Sequence, residues 1–469
     1  MNAILFLWCF LARPFSKDIV TDKSVNNLII SKIKQAATKA CIEKRQQRGL
    51  SIEQVFIAAV GFCSTGRQKL QFTLGSFHSY LVRISNQYIS DSALNKKLRK
   101  SEIEPFLKNV LESLSGMIPK APKYPFSTAG DKLKEILGVS DVMDIDGTYI
   151  RARKSDKYQC YAGDGRYGIG LHPLVSIISG VIHGLTVTQQ ACNERLYMQI
   201  EKLKNVAIFA DRGYPSFDVI CQLMQQDESN NVKFLFRFHP DFTMEILSVI
   251  NGKGEPLNLT YVTQDIDVSV KDNRFIDFQV KLKKPKSSKS SKKFIILRVV
   301  RIYNPTLQNW NFFITNIGAD KVPVYKFGAI YRLRWVCEML YKSIKSFNSL
   351  SHGINSSHLM IVLFFLVASL VAVILKTIVA SLMKEQSRSI SLLKVHKNLE
   401  LSDNLIIKIA FEYISNEELY ESLKALADAM ARLCLQSHVS MRDKKQLKSY
   451  DEIASIIASD VYSPNTINY

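Results

Sequence analysis

Between about residues 24 and 118 the apolar positions recur at helical spacing, with oxygen-bearing side chains standing where helices would start. Ser51 lies three residues before Gln54 at the head of VFIAAVGF, and Ser101 three before Glu104 at the head of PFLKNVLESL. Each serine is therefore expected to cap free backbone N–H groups in a capping box. Between them, Ile89 to Lys100 (ISDSALNKKLRK) predicts a turn leading into a basic helix. That arrangement suits a small DNA-binding helical domain, and a helical subdomain with a solvated basic face would read the same way.

From about Asp141 the period shortens to that of strands. DVMDIDGTYIR alternates so that Val142, Asp144 and Asp146 share one face while Met143 and Ile145 share the other. HPLVSIISGVIHGLTVTQQ predicts two strands joined near Ser179-Gly180, and a helix is expected from about Asn193. In NVAIFADRGYPSFDVICQLMQQ an apolar run, Val206 to Ala210, ends in Asp211, a Gly-Tyr-Pro turn follows, and Ser216 can cap the next helix. Asp211 thus stands at the carboxyl end of a buried strand, where α/β proteins commonly place ligand and catalytic groups. Residues 232–322 are rich in β-branched and aromatic residues, and VKFLFRF, LNLTYVT, FIDFQVKL, FIILRVVRIY and NWNFFITNI predict an antiparallel β module. Within it, Lys283 to Lys293 holds six lysines, four serines and a proline, which reads as a solvated loop tip able to touch phosphate. After Tyr325 the helical period returns and runs nearly to the end, closing with the strongly periodic NEELYESLKALADAMARLCLQ.

Two apolar stretches bear on membrane association. Ala3 to Ala12 (AILFLWCFLA) has the length of a signal-peptide core, but no basic residue precedes it and no small-x-small pattern follows, so an amino terminus that is packed or wrongly assigned is expected. Leu359 to Leu375 is 17 residues long with Ser369 as its only polar member, at the lower edge of what spans a bilayer. With no second span and no aromatic belt, a central helix buried on all sides is expected instead.

Composition changes the picture through charge. The 469 residues contain 47% hydrophobic and 22% charged residues, which is globular and excludes a disordered or collagen-like chain. Against 42 Asp+Glu stand 62 Lys+Arg, a net charge of +20 that calls for a polyanionic partner, nucleic acid first and a membrane surface second. The eight cysteines, at 9, 41, 63, 160, 192, 221, 337 and 434, form no Cys-x-x-Cys pair and read as reduced, mostly buried residues of a cytosolic protein. The histidines are equally scattered, so a His-based metal site is not expected. His172, His183 and His239 read as satisfied structural histidines.

Ala329 to Phe347 (AIYRLRWVCEMLYKSIKSF) carries the densest chemistry. On an ideal helix Tyr331, Arg334, Glu338 and Lys345 fall within a sector of about 60°, while Leu333, Val336, Cys337, Leu340 and Ile344 form the opposite, aliphatic side. The helix would aim a phenol, a guanidinium, a carboxylate and an ammonium in one direction. A surface helix with ordinary i,i+4 pairing also produces such faces.

The spacing Tyr331-x2-Arg334-x3-Glu338-x6-Lys345 resembles the tyrosine-arginine-glutamate-lysine signature of the insertion-sequence-four family of DDE transposases. Asp146-Gly147-Thr148 after a hydrophobic strand is similar to that family's first catalytic Asp motif, and Asp211-Arg212-Gly213-Tyr214 to its second. The resemblance covers about residues 51 to 375. It implies an α/β fold: a ribonuclease H-like catalytic core with an inserted antiparallel β module between Asp211 and Glu338, and flanking helical regions. The organisation expected is an unassigned amino terminus (1–23), a helical DNA-binding domain (24–125), the first part of the core (126–231), the β-rich insertion (232–322), the rest of the core with the Glu helix (323–385), and a helical carboxyl-terminal region (386–469).

The same resemblance implies that Asp146, Asp211 and Glu338 are catalytic and hold two Mg²⁺ ions, with Mn²⁺ as a substitute. Hard carboxylate oxygens suit such ions, and a metal pair serves in-line displacement at a phosphodiester. Asp144 shares the strand face of Asp146 and is the alternative ligand, Asp146 being preferred because it matches the family position. Tyr331, Arg334 and Lys345 would contact the DNA backbone near the cut, helping to hold a flipped base, and Arg212 and Tyr214 would either bind DNA or order the turn after Asp211. Trp310 is one candidate for stacking on the flipped base, a packed core aromatic being the alternative. Glu194 favours the start of a helix, and Arg237 reads as a structural pairing residue. The expected function is a DNA transposase of an insertion sequence, binding terminal inverted repeats, cutting DNA and joining the 3′-OH ends to target DNA. Its partners would be DNA and a second copy of the chain in the synaptic complex, with no membrane and no small-molecule substrate, in a prokaryotic cytoplasm at the nucleoid. A non-transposing metal-dependent nuclease and a decayed DNA-binding remnant are the alternatives.

Overall fold

The computed structural model describes residues 49–64, 73–114, 127–153, 167–178, 182–188, 195, 198, 200–335, 338, 354–382, 392–412, 416–434 and 453–459. Lys345, Glu194 and the segment Ala3 to Ala12 lie outside the described residues, as does most of the helix expected from Asn193.

The strand texture after residue 140 becomes one ten-stranded sheet. Its strands are β1 (Asp141–Ile145), β2 (Thr148–Arg151), β3 (Gly168–Ser176), β4 (Ile182–Thr188), β5 (Val206–Ala210), β6 (Lys233–Arg237), β7 (Met244–Asn251), β8 (Phe275–Lys283), β9 (Phe294–Asn304) and β10 (Asn309–Thr315). The order is β2-β3-β1-β5-β6-β10-β9-β8-β7, and β4 pairs with β3 off this path. β1 runs antiparallel to β3 and parallel to β5, and β5 runs parallel to β6. An antiparallel unit followed by parallel strands makes a mixed α/β sheet, the fold class expected. The crossover from β5 to β6 is α6 (Phe217–Asn230), whose first turn is capped by Ser216 Oγ accepting from Val219 N at 3.2 Å, as expected.

The expected inserted β module is continuous with this sheet. VKFLFRF supplies β6, which lies parallel to β5, and only β7 to β10 form the antiparallel extension beyond it. LNLTYVT is not a strand. Its place in the sheet is taken by β7, whose alternation is broken by the bulge between Ile246 and Ser248 and by the exposed Leu247. Helices cover both faces of the core sheet. α6 seals one side through Phe217, Ile220 and Leu223, beside Ile145, Ile208 and Phe236. The other side is sealed by α5 (Ser127–Leu137), by α7 (Phe327–Arg332) and by Ile453 and Ile457, over Val142, Ala207, Phe209 and Leu235.

The remaining helices are α1 (Ile52–Ser64), α2 (Leu74–Ser85), α3 (Asp91–Leu98), α4 (Ile103–Leu114), α8 (Leu359–Leu382), α9 (Leu392–Asn398), α10 (Asp403–Phe411) and α11 (Asn416–Cys434). They surround α8, so the amino-terminal and carboxyl-terminal helical regions share one core, which also takes in Ile150, Ile169, Leu171 and Val175 of the sheet. α8 has the length and apolarity of a membrane span, yet 89% of its window Leu359–Lys376 is buried inside the protein, the environment expected of a central helix. Its Lys376 donates to Ser64 O at 3.0 Å, and burial lowers that ammonium to about 8. α1 approaches α10 and α2 so closely that a Cβ on Gly61 would stand 2.6 Å from Ile406 Cγ1 and 2.7 Å from Tyr80 Oη.

The expected cap at α1 forms: Ser51 N donates to Gln54 Oε1 at 2.8 Å and Gln54 N to Ser51 Oγ at 3.3 Å. At α4 it does not, because Ser101 Oγ turns to Glu102 Oε2 at 3.3 Å. Ser90 caps the basic α3. The lysine-rich tip between β8 and β9 is fastened to α6, since Asp218 accepts hydrogen bonds from Ser288 Oγ, Lys289 N and Ser290 N.

Candidate active site

The parallel register sets the site. Ile145 pairs with Ala210, and Ala210 with Phe236, so Asp146, Asp211 and Arg237 stand at matching positions at the carboxyl end of three neighbouring strands. β1 is buried along its whole length, although it contains Asp141 and Asp144. Asp141 accepts from Ser176 Oγ at 2.9 Å at the far end of the strand, where the buried His183 Nε2 lies 3.1 Å from its other oxygen. His172 is buried beside Thr188 Oγ1 at 3.2 Å, and desolvation lowers its imidazole to about 4.

Glu338 comes to this edge from the segment after α7. The long helix expected from Ala329 to Phe347 is not continuous there. α7 ends at Arg332, and Leu333 N and Arg334 N bond back to the carbonyls of Ile330 and Tyr331 at 3.1 and 3.0 Å, three residues earlier rather than four. The tightened turn aims Tyr331 and Arg334 at the carboxylates. Arg334 Nη1 donates to Asp146 Oδ2 at 2.8 Å and lies 3.9 Å from Asp144 Oδ2, while Nη2 donates to Glu338 Oε1 at 2.8 Å. Tyr331 Oη reaches Asp211 Oδ1 and Ala210 O, each at 3.4 Å. The three carboxylates are therefore gathered by the very residues that the resemblance implies face DNA, and in this structure both side chains face inward. Trp335, which the sequence reading did not use, hydrogen-bonds Glu338.

The electrostatics follow from this crowding. Burial raises the Glu338 carboxyl; Arg334 opposes the rise, and the charges of Asp146 and Asp211 add to it. Tyr331 is raised by burial and then by Asp211. Burial alone would lower the Arg334 guanidinium, but Asp144, Tyr331 and Asp146 together hold it well above its usual value.

Among the described residues, no three Asp, Glu, His or Cys side chains stand ready to hold a metal ion. The reason is geometric, since the Arg334 guanidinium lies between Asp146 and Glu338. The donor chemistry nonetheless fits a hard divalent cation, with carboxylate oxygens and one guanidinium set against Asp144, Asp146, Asp211 and Glu338.

The other candidates divide. Tyr214 is fully buried in the core beneath the turn, which fits the turn-ordering alternative. Arg195 Nε donates to Gly213 O at 3.1 Å and braces the same turn. Arg212 is partly exposed, with Nη1 3.3 Å from His239 Nε2, and its guanidinium is lowered by burial and by the charge of Arg237. His239 is thus an exposed contact of Arg212. Arg237 donates to Asn311 Oδ1 at 2.8 Å. Trp310 carries the buried Arg301 guanidinium 3.7 Å from its ring centre and Tyr303 at 5.1 Å, so it is a packed aromatic of the extension.

Residues 138–370 match the family model for the transposase DDE domain. The matched stretch runs from the end of α5 into α8 and contains Asp146, Asp211 and Glu338. Among solved structures, a cryo-EM structure of a piggyBac transposase synaptic complex with hairpin DNA aligns over 97% of this chain and 89% of that one, at 13% identity and a TM-score of 0.40. No curated protein matches the chain.

Proposed function

We propose that this chain is a DNA transposase of the DDE kind, similar to the insertion-sequence-four family, which binds the terminal inverted repeats of its element, cuts there and joins the 3′-OH ends to target DNA. The observation that carries the reading is the convergence of Asp146, Asp211 and Glu338 on Arg334 and Tyr331, inside the stretch that matches the transposase DDE domain. The net charge of +20 supports a polyanionic substrate.

In this reading Asp146, Asp211 and Glu338 would hold the divalent ions on which transposases of this kind generally depend, Mg²⁺ by donor type. Such ions, when bound, supply an activated attacking oxygen and charge stabilisation at the leaving oxygen. Arg334 keeps the carboxylates together beforehand, taking the place of one positive charge. With DNA bound, its fork would be free to turn to a backbone phosphate, the partner its planar geometry suits. Tyr331 restrains Asp211, and Lys345 and Arg212 would contact the DNA strand on either side. Synapsis of two ends would require at least a dimer, acting at the nucleoid of a prokaryotic host.

The test is cleavage and strand transfer with the full chain on DNA carrying the element's ends. Glu338→Gln is expected to lose Mg²⁺-dependent cleavage while keeping DNA binding. Cleavage by the variant at the rate of the unaltered chain refutes the assignment. Transfer of pre-cut ends separates a transposase from a nuclease that only cuts, and DNA binding without any cleavage identifies a decayed remnant.

A further inference from the structure

Beside the carboxylates, on the same sheet edge, lies a pair of cations that no described carboxylate meets in an ion pair, Asp211 offsetting the charge of Arg212 only in part. Asp211 and Arg237 occupy matching positions on neighbouring parallel strands, about 4.8 Å apart by sheet geometry, and Arg212 follows Asp211 directly. Among the described residues, neither Arg212 nor Arg237 forms an ion pair with a carboxylate. The Nε–H of each is shielded from solvent with no hydrogen-bond acceptor. What they do touch is neutral or cationic: Arg212 Nη1 lies against His239 Nε2 at 3.3 Å, and Arg237 Nη2 is held by Asn311 Oδ1 at 2.8 Å.

A guanidinium N–H shielded from water is ordinarily paired, because an unsatisfied donor keeps its desolvation cost, and two neighbouring like charges repel. A partly exposed pair with no ion-paired carboxylate at the rim of a charged site, and oriented by side chains such as His239 and Asn311, is what an anion-binding seat requires. Planar forks match tetrahedral oxyanions bidentately, which favours phosphate over a diffuse acidic surface.

We propose that Arg212 and Arg237, steadied by His239 and Asn311, form a seat for one phosphate group of the DNA strand, neighbouring the phosphate presented to Asp146, Asp211 and Glu338. This rests on the DNA-cutting reading above and adds to it the residues of β6, which the sequence assigns a structural role. The seat would fix the strand's register at the carboxylates without taking part in the chemistry.

The experiment measures binding of the full chain to a fluorescent DNA duplex by anisotropy across a salt series without divalent ions, and thermal shifts on adding inorganic phosphate. The Arg212→Gln/Arg237→Gln double variant is expected to bind about tenfold more weakly and to flatten the slope of log affinity against log salt by about one unit, the loss of one phosphate contact. Arg237→Lys should keep the slope and lose part of the affinity, since charge survives but the fork does not. Phosphate should raise the melting temperature of the unaltered chain and not that of the double variant. A double variant that keeps the slope, the affinity and the phosphate shift overturns the seat. If the unaltered chain responds to phosphate through these arginines but does not bind DNA, the seat stands and the DNA-cutting reading fails. A variant that folds with a lowered melting temperature and unchanged slope assigns the pair a structural role and also overturns the proposal.

Discussion

Arg334→Met isolates the contribution of one guanidinium to the carboxylate cluster. The methionine keeps most of the side-chain volume and removes the bonds to Asp146 and Glu338, both at 2.8 Å. The Glu338 side chain is 49% exposed, so its half of the interaction is screened and worth about 1 kcal/mol at most. Asp146 is 22% exposed and leaves a shielded carboxylate uncompensated, which costs about 2 kcal/mol, less than the 3–5 kcal/mol of a fully buried broken pair. A loss of about 3 kcal/mol corresponds, at roughly 2 °C per kcal/mol for a chain of this size, to a melting temperature about 6 °C lower. The assay is thermal unfolding in a chelating buffer, repeated with Mg²⁺. Because the variant's carboxylates no longer have a built-in cation, Mg²⁺ should stabilise it more than the unaltered chain; at ten times the variant's dissociation constant its total stabilisation is about 1.4 kcal/mol. A variant that melts at the same temperature as the unaltered chain in chelator refutes the idea that Arg334 gathers these carboxylates.

Two further predictions concern the helical core. Lys376 is lowered to about 8 by burial, so the folded state releases a proton that the unfolded chain keeps until about 10.4, and stability should rise as pH climbs between those values. Lys376→Met abolishes that rise, worth about 3 kcal/mol, in denaturant titrations at pH 7.5 and pH 10.5; a stability difference between the two proteins that does not change with pH contradicts it. Gly61→Ala places a methyl group 2.6 Å from Ile406 Cγ1 and should cost about 1–3 kcal/mol of unfolding free energy, whereas an unchanged denaturation midpoint would mean that α1 and α10 pack more loosely than described.

The site was legible where local pattern and local structure coincide. Val206 to Ala210 is a short apolar run ending in Asp211, and a buried parallel strand leaves such a run as its trace. Ser216 capped its helix as read, because a cap needs only its own turn. What the sequence could not carry was non-local. β6 was read with the antiparallel segments because a strand's own residues do not say whether its neighbour is β5 or β10, and it pairs with both. The turn at Leu333 and Arg334 breaks no propensity rule, so an ideal helical projection put Arg334 and Tyr331 on the right side of the segment but left open what they face. Arg237 looked like one basic residue among many until the register set it level with Asp211. Tyr214 shares a motif with Arg212 two residues before it, and burial separates the two.

The most direct test of a shared cation site is to map its ligands on the protein itself. Fe²⁺ with ascorbate and peroxide cuts a backbone close to where the ion is held, and the fragments report the positions. The account predicts cuts clustered around residues 146, 211 and 338, suppressed by excess Mg²⁺ and weakened together by Glu338→Gln. Cuts confined to other segments, or cuts near these residues that Mg²⁺ leaves undiminished, would contradict it.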